Sequence, residues 1–93
     1  MLDAIRTAAR RYEADVIAWR RALHQQPELS TEETQTARFV ADALAPLDLP
    51  VRTGLYNTGL MATLQGEKPG PTVFLRADMD ALPIQEDTGL DFA

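Results

Sequence analysis

Two aspartates separated by one residue, Asp78 and Asp80, follow an apolar stretch in the segment FLRADMDALPIQE, residues 74–86. If extended backbone continues through Met79, the two side chains point in the same direction at the carboxyl end of a strand. Paired carboxylates there suit a hard cation or the orientation of another metal ligand. The alternative is local: Asp78 caps a turn or pairs with Arg76, and Asp80 caps the next loop. Spacing alone leaves both interpretations open.

The single histidine, His24, is the other residue whose chemistry suits a metal site. It falls near the end of a predicted helix, about 90° from the centre of the apolar face, which favours a surface or helix-end position. His24 with Glu28 is an alternative beginning of a metal or substrate site, although no neighbouring residues supply further ligands. With one histidine and no cysteine, we expect no ordinary zinc site from this chain alone.

Composition excludes several kinds of function for these 93 residues, which form at most one small domain. The net charge of −5 argues against nucleic-acid binding, which depends on basic surfaces. No apolar run is long enough to span a membrane, and the charged amino terminus does not resemble a secretion signal. The absence of cysteine excludes disulfides. We therefore expect a cytoplasmic protein that binds neither nucleic acid nor membrane.

Two helices are predicted in the first half of the chain. Apolar residues recur every three or four positions from Leu2 to Leu23, which predicts an amphipathic helix that ends at or before Gln26, ahead of a proline. Tyr12 and Trp19 lie on its apolar side and are predicted core residues. The second helix is predicted to begin with a capping box formed by Ser30 and Glu33, and to stop near Ala45 because Pro46 follows.

Strands are predicted in the second half. Residues 51–53 form a candidate short strand, and 57–59 (NTG) are typical of a turn. Residues 60–65 and 72–77 are predicted to pair as an antiparallel hairpin across the loop GEKPGP. The predicted class is therefore α/β, with two helices followed by an antiparallel hairpin. The apolar run 73–75 is typical of a strand covered on both faces, which indicates the beginning of a larger domain.

Several stretches together resemble one enzyme family. They are RALH at 21–24, PELS at 27–30 with Glu33 and Thr36 after it, Thr58-Gly59, LQG at 64–66, and the most specific block, LRADMDALPI at 75–84, with Glu86 and Gly89 after it. This combination resembles the zinc-type metallo-amidohydrolases, which include hippurate hydrolase, aminoacylase-like metallopeptidases and bacterial N-acyl-amino-acid amidohydrolases. The resemblance covers nearly the whole chain.

The resemblance implies a fold and a reaction for a longer parent enzyme. Residues 1–93 would be the amino-terminal portion of a catalytic domain with a helix-covered mixed sheet, without the family's lid or dimerisation domain. The parent would hydrolyse the amide bond of small N-acyl amino acids such as hippurate, with a divalent metal (zinc, manganese, cobalt or nickel) and an activated water. It would be cytoplasmic, and family members include homodimers.

The resemblance also bears on the acidic pair. In the wider superfamily a His-x-Asp supplies a metal ligand and its orienting carboxylate at this position, where this chain has Asp78-Met79-Asp80. Asp80 is therefore a candidate for orienting ligands, and Asp78, which replaces the ligand histidine, is the weaker candidate site residue. The subgroup's own ligands follow after this block, so we expect no metal bound to this chain alone and no activity from it.

Two other functions fit parts of the pattern. A magnesium-dependent phosphotransferase or phosphatase would use the first aspartate of D-x-D as nucleophile, but Ala81-Leu82-Pro83 stand where such enzymes have glycine and threonine. A non-catalytic interaction module would recruit a partner chain through a free strand edge.

Overall fold

The computed structural model describes residues 1–93 and divides into two compact units, one of residues 1–27 with 84–93 and one of residues 28–83. The elements in chain order are α1 (Leu2–Gln25), α2 (Thr34–Leu44), a short 3-10 helix (Ala45–Leu47), β1 (Val51–Leu55) and β2 (Gly59–Ala62). Two helices followed by an antiparallel two-stranded sheet confirm the predicted α/β class.

Helix α1 ends at Gln25, ahead of Pro27, as the sequence predicts. None of its residues is buried, and Tyr12 and Trp19 are 55 % and 44 % exposed, so the prediction that they are core residues is wrong for this structure. An amphipathic pattern marks the face that is suited to burial, but burial requires a second apolar surface, and only the short segment 84–93 shares this unit with α1. No helix is both long and apolar enough to cross a membrane.

Helix α2 begins later than the capping box predicts. Glu33 is the residue that precedes the helix, and its side chain makes no cap hydrogen bond, so the Ser30–Glu33 box does not form. Thr31 has a φ of 69°, a left-handed conformation that turns the chain before the helix begins. The carboxyl end agrees with prediction, because α2 gives way to a 3-10 turn that contains Pro46.

The hairpin confirms one predicted strand and corrects the pairing of another. Strands β1 and β2 are antiparallel, with the turn at 56–58, so the predicted strand at 51–53 and the NTG turn are confirmed. The predicted partner of β2, residues 72–77, is not a strand; β1 pairs with β2 instead. The connection from β1 to β2 is shorter than the GEKPGP loop and closes at a lower entropic cost.

The turn between β1 and β2 has a defined backbone. Tyr56 and Asn57 both have positive φ, 49° and 78°, which is the signature of the primed turns that match strand twist. Arg52 faces Met61 and Leu55 faces Gly59, so the register shifts between these pairs. Gly54, at φ 73°, lies in this bulge, where a side chain would be strained.

Burial in this structure is polar. No hydrophobic residue is buried, and the three buried residues are Glu33, Thr36 and Thr58. All three belong to the unit of residues 28–83. Buried polar groups must find hydrogen-bond partners, so these residues mark the place where specific interactions organise the chain.

Candidate functional site

The acidic segment lies in irregular backbone that follows no strand. The Nη2 atom of Arg76 lies 2.9 Å from Oδ1 of Asp78, and both side chains are largely exposed. Asp80 is exposed as well. For Asp78 the structure thus shows the local alternative, a pair with Arg76, and an exposed pair of this kind contributes at most about 1 kcal/mol.

The carboxylates of this chain do not by themselves form a metal site. The strand that would aim Asp78 and Asp80 in one direction is absent, and no group of three or more His, Asp or Glu side chains is arranged to hold a metal ion. Stable metal sites in proteins need several ligands in one geometry. The residues present therefore do not fit the metal that the family resemblance implies.

A backbone hydrogen bond fastens the acidic segment to Glu28. The N–H of Ala81, the residue after Asp80, donates to the carbonyl oxygen of Glu28 at 2.8 Å. It is the one backbone hydrogen bond made by residues 72–83. The position of the acidic segment therefore depends on the position of Glu28.

The carboxylate of Glu28 binds the first turn of α2. Its Oε1 accepts from the N–H and the hydroxyl of Thr36, at 2.6 and 2.7 Å, and its Oε2 accepts from the N–H of Gln35 at 3.1 Å. These amides have no partner within the helix, and a carboxylate there also complements the helix dipole. The Thr36 hydroxyl, and then the amides of Thr36 and Gln35, hold the pKa of Glu28 below its usual range. Glu28 thus performs the capping that the sequence assigned to Ser30.

A second carboxylate links α2 to the hairpin turn. The hydroxyl of Thr58 donates to Oε1 of Glu33 at 3.3 Å, and both residues are buried. Gly59 follows, and a Cβ at this position would lie 2.6 Å from the carbonyl oxygen of Leu55. Only glycine therefore fits next to Thr58, which explains in physical terms the Thr58-Gly59 pair that stands out in the sequence.

His24 belongs to a separate cluster in the other unit. Its Nε2 contacts the carboxylate of Glu86, and the hydroxyl of Thr88 donates to the second oxygen of that carboxylate at 2.6 Å. The hydrogen bond from Thr88, and then the contact with His24, lower the pKa of Glu86. The ring of Phe92 meets the His24 ring edge-on, with centroids 6.0 Å apart. The Cζ atom of Arg21 lies 4.6 Å from the centroid of the Phe92 ring. The partner of His24 is thus Glu86 and not Glu28, contrary to the alternative raised from the sequence.

Sequence reasoning missed the roles of four residues of the larger unit: Glu28, Glu33, Thr36 and Thr58. Each of them belongs to the residues that carry the family resemblance, yet spacing along the chain assigns none of them the partner that the structure shows. The signal that could have identified them is a carboxylate or hydroxyl side chain that lies in these stretches and does not belong to the apolar face of a helix or strand. Which carboxylate meets which hydroxyl depends on how the chain folds back, as the bond between Glu33 and Thr58 shows.

Comparison with known proteins shows which proteins this chain resembles. Its sequence relatives are named amidohydrolases, deacetylases and carboxypeptidases. No family model matches the chain, and no solved structure matches it. The similarity covers most of the chain, at 41–51 % identity in these groups, and confirms the resemblance to the metallo-amidohydrolases that the sequence motifs indicate.

Three relatives illustrate the range. An N-acyl-L-amino acid amidohydrolase of Geobacillus stearothermophilus is 51 % identical over 79 residues, which are 85 % of this chain and 21 % of the relative. An N-acetyl-L-cysteine deacetylase of Bacillus subtilis is 47 % identical over 87 % of this chain and 20 % of its own length. Thermostable carboxypeptidase 1 of Saccharolobus solfataricus is 41 % identical over 99 % of this chain and 24 % of its own length. The chain therefore spans about a fifth to a quarter of the curated relatives it matches.

Proposed function

We propose that residues 1–93 are the amino-terminal portion of the catalytic domain of an amidohydrolase that cleaves N-acyl amino acids, hippurate-like compounds among them. The observation that carries the proposal is the 51 % identity over 79 residues to a protein named N-acyl-L-amino acid amidohydrolase. A deacetylase of N-acetyl-L-cysteine among the relatives supports the same substrate class, a small acylated amino acid.

The proposal includes a divalent metal in the longer enzyme, whether zinc, manganese, cobalt or nickel. Such a metal would supply Lewis-acid activation of the amide. Its ligands would come from side chains outside residues 1–93, because the carboxylates and the histidine described here do not form a ligand set. The proposal also includes a cytoplasmic location and a homodimeric state for the longer enzyme.

Within this chain, the proposed contribution to the site is the acidic segment. Asp80 is free of the ion pair that occupies Asp78. It is also the carboxylate next to the hydrogen bond that fastens the segment, between Ala81 and Glu28. We therefore assign Asp80 the orienting role and Asp78 a lesser one. Carboxylates that orient metal ligands typically matter by about ten- to a hundred-fold in metal affinity or activity.

The test compares two proteins, the 93-residue chain and a form extended by the coding sequence downstream of it. Both are supplied with zinc or manganese and assayed for release of free amino acid from N-acetyl amino acids and hippurate. We expect activity in the extended form only, and a loss of about tenfold or more in kcat for Asp80→Ala with a smaller change in KM. Hydrolysis of a phosphate ester with magnesium, and of no acylated amino acid, would contradict the proposal in favour of a phosphatase.

One observation favours a second candidate, the interaction module. The apolar side of α1 is exposed along its length, from Leu2 and Ile5 to Trp19. Exposed apolar faces of this kind are typical of surfaces that another chain covers. A monomeric 93-residue chain that unfolds cooperatively and binds one partner at fixed stoichiometry would support the module. A chain whose extended form is active on acylated amino acids would support the enzyme.

A further inference from the structure

We infer that Glu28 is a positioning residue that holds the acidic segment, Asp78 to Asp80, at the beginning of α2. Its carboxylate binds the first turn of the helix, and its carbonyl oxygen binds the N–H of Ala81. These hydrogen bonds are present in the structure and do not depend on the proposed function. Their consequence for catalysis rests on the proposed function, because it requires that Asp80 act in the site.

The side chain of Glu28 is itself fixed in place. Its two carboxylate oxygens accept three hydrogen bonds from Gln35 and Thr36, and Thr36 is among the three buried residues of the structure. Hydrogen bonds to an ionised acceptor are the stronger kind, and they close the loop 28–33 onto the helix. The carboxylate of Glu28 is therefore held against the first turn of α2.

The acidic segment has no other backbone hydrogen bond that anchors it. Residues 72–83 belong to no helix or strand, and the bond from Ala81 to Glu28 is their one backbone hydrogen bond. The ion pair between Arg76 and Asp78 lies within the segment and does not attach it to anything else. The segment is therefore attached to Glu28 through Ala81, the residue that follows Asp80.

Position 28 requires glutamate for this set of hydrogen bonds. Aspartate is one methylene shorter and does not span the same distance to Gln35 and Thr36. Glutamine keeps one acceptor oxygen for Thr36, but its NH₂ group would face the N–H of Gln35, and two donors then meet. Glu28→Gln is thus expected to weaken the anchor and Glu28→Ala to remove it.

The first arm of the test measures amide hydrogen exchange of Ala81 by NMR in the 93-residue chain. We expect exchange about two- to tenfold faster in Glu28→Ala than in wild type, with a smaller increase in Glu28→Gln. The matched control is Ser30→Ala, since Ser30 is exposed and its side chain makes no hydrogen bond in the structure. This control should leave Ala81 unchanged.

Loss of the whole fold is separated from loss of the anchor within the same experiment. Hairpin amides, such as that of Thr63, which donates to the carbonyl of Pro50, belong to the same unit as Glu28 and report unfolding of that unit. If Glu28→Ala also accelerates those, Thr36→Val replaces it, because this variant removes one donor to the carboxylate and keeps the backbone amide. Equal Ala81 exchange in wild type and in the variant that remains folded, or an Ala81 amide unprotected in wild type, would overturn the inference.

The second arm uses the extended enzyme and separates this inference from the proposed function. Glu28→Gln should lower kcat with little change in KM, and the double variant with Asp80→Ala should be no slower than Asp80→Ala alone, since both act through one carboxylate. Additive losses would overturn the inference. Wild-type turnover in Asp80→Ala, together with a positive exchange result, would remove Asp80 from the proposed site and leave the anchor of Glu28 standing.

Discussion

The two units of the chain are held by different kinds of contact. In residues 28–83 the hydrogen bond between Glu33 and Thr58 is buried, and Thr36, which binds Glu28, is buried as well. In the unit formed by residues 1–27 with 84–93, the pair of His24 and Glu86 lies at the surface and no residue of α1 is buried. The unit of residues 28–83 is therefore organised by groups removed from water, and the unit of residues 1–27 with 84–93 by groups that remain in contact with water.

This difference sets how much each contact matters. A buried donor or acceptor that loses its partner cannot bond to water instead, so the cost is the desolvation of that group. An exposed partner is replaced by water at little cost. Variants that remove a buried contact of residues 28–83 should therefore have larger effects than variants at exposed contacts of either unit, and the following predictions test that ranking from the largest effect to the smallest.

The largest effect is expected for Gly59→Ala. The added Cβ would lie 2.6 Å from the carbonyl oxygen of Leu55, a backbone atom that moves only with the strand. We expect a loss of about 1–3 kcal/mol in the opening free energy of the hairpin. The measurement is hydrogen exchange of the Thr63 amide, which donates to the carbonyl of Pro50 at 3.1 Å.

Gly70→Ala is the matched control for this variant, because a Cβ at Gly70 meets no atom within 4 Å. It should leave Thr63 exchange unchanged. If both variants slow or speed exchange equally, the hairpin is not held in the geometry described.

The second effect is expected for Thr58→Val, which keeps the shape of the side chain and removes the hydroxyl. The buried carboxylate of Glu33 then loses its donor, so we expect the hairpin and the first turn of α2 to open more readily by about 1–3 kcal/mol. Exchange of the same hairpin amide reports the change. Thr72→Val, at an exposed position, serves as the control, and an effect of equal size there would show that the hydroxyl of Thr58 is not used.

The third effect depends on pH and compares one carboxylate from each unit. Glu28 and Glu86 both have a pKa below the ordinary value of 4.5. A carboxyl group whose pKa is lower in the folded state than in the unfolded state stabilises the fold at pH values above its ordinary pKa. This stabilisation is lost as the pH falls through the lowered pKa. We expect the Thr36 amide to lose protection in this acidic range as Glu28 protonates.

Carboxyl-detected NMR titration measures this third effect directly for Glu28 and Glu86. In Thr36→Val the pKa of Glu28 should move back towards 4.5, and in Thr88→Val that of Glu86 should do the same. Each substitution should leave the other carboxyl unchanged. Ordinary titration of Glu28 in wild type would show that its hydrogen bonds to α2 are not formed in solution.

The smallest effect is expected for Arg76→Ala. The guanidinium and the Asp78 carboxylate are 79 % and 64 % exposed, so the unfolding free energy should change by less than about 1 kcal/mol. Denaturant titration in low and high salt checks this. A larger loss that salt abolishes would show that this ion pair contributes more to stability than its exposure predicts.

Some features of the fold were predictable because the rules that produce them are local. The ends of α1 and α2 follow from Pro27 and Pro46, whose rings restrict the backbone of the neighbouring residue. The turn that contains Asn57 follows from residues that tolerate positive φ. In each case the residues that decide the outcome are adjacent in sequence, so their spacing suffices.

The candidate site was only partly predictable. The acidic pair was recognised as a candidate from its spacing, and the pairing of Asp78 with Arg76 was one of the two interpretations that spacing allowed. That the acidic segment is anchored to Glu28 was not foreseen, because the two residues are far apart in sequence. The role of Asp80 in a metal site stays a prediction.

By itself, the sequence determined the helices, the turn and the relationship to amidohydrolases, deacetylases and carboxypeptidases. Only the tertiary structure decided that β2 pairs with β1, that Glu28 caps α2 in place of Ser30, and that Glu33 meets Thr58. The physical reason is that propensity and periodicity act between neighbours along the chain. Hydrogen bonds between distant residues depend on which competing partner the folded backbone brings within about 3 Å.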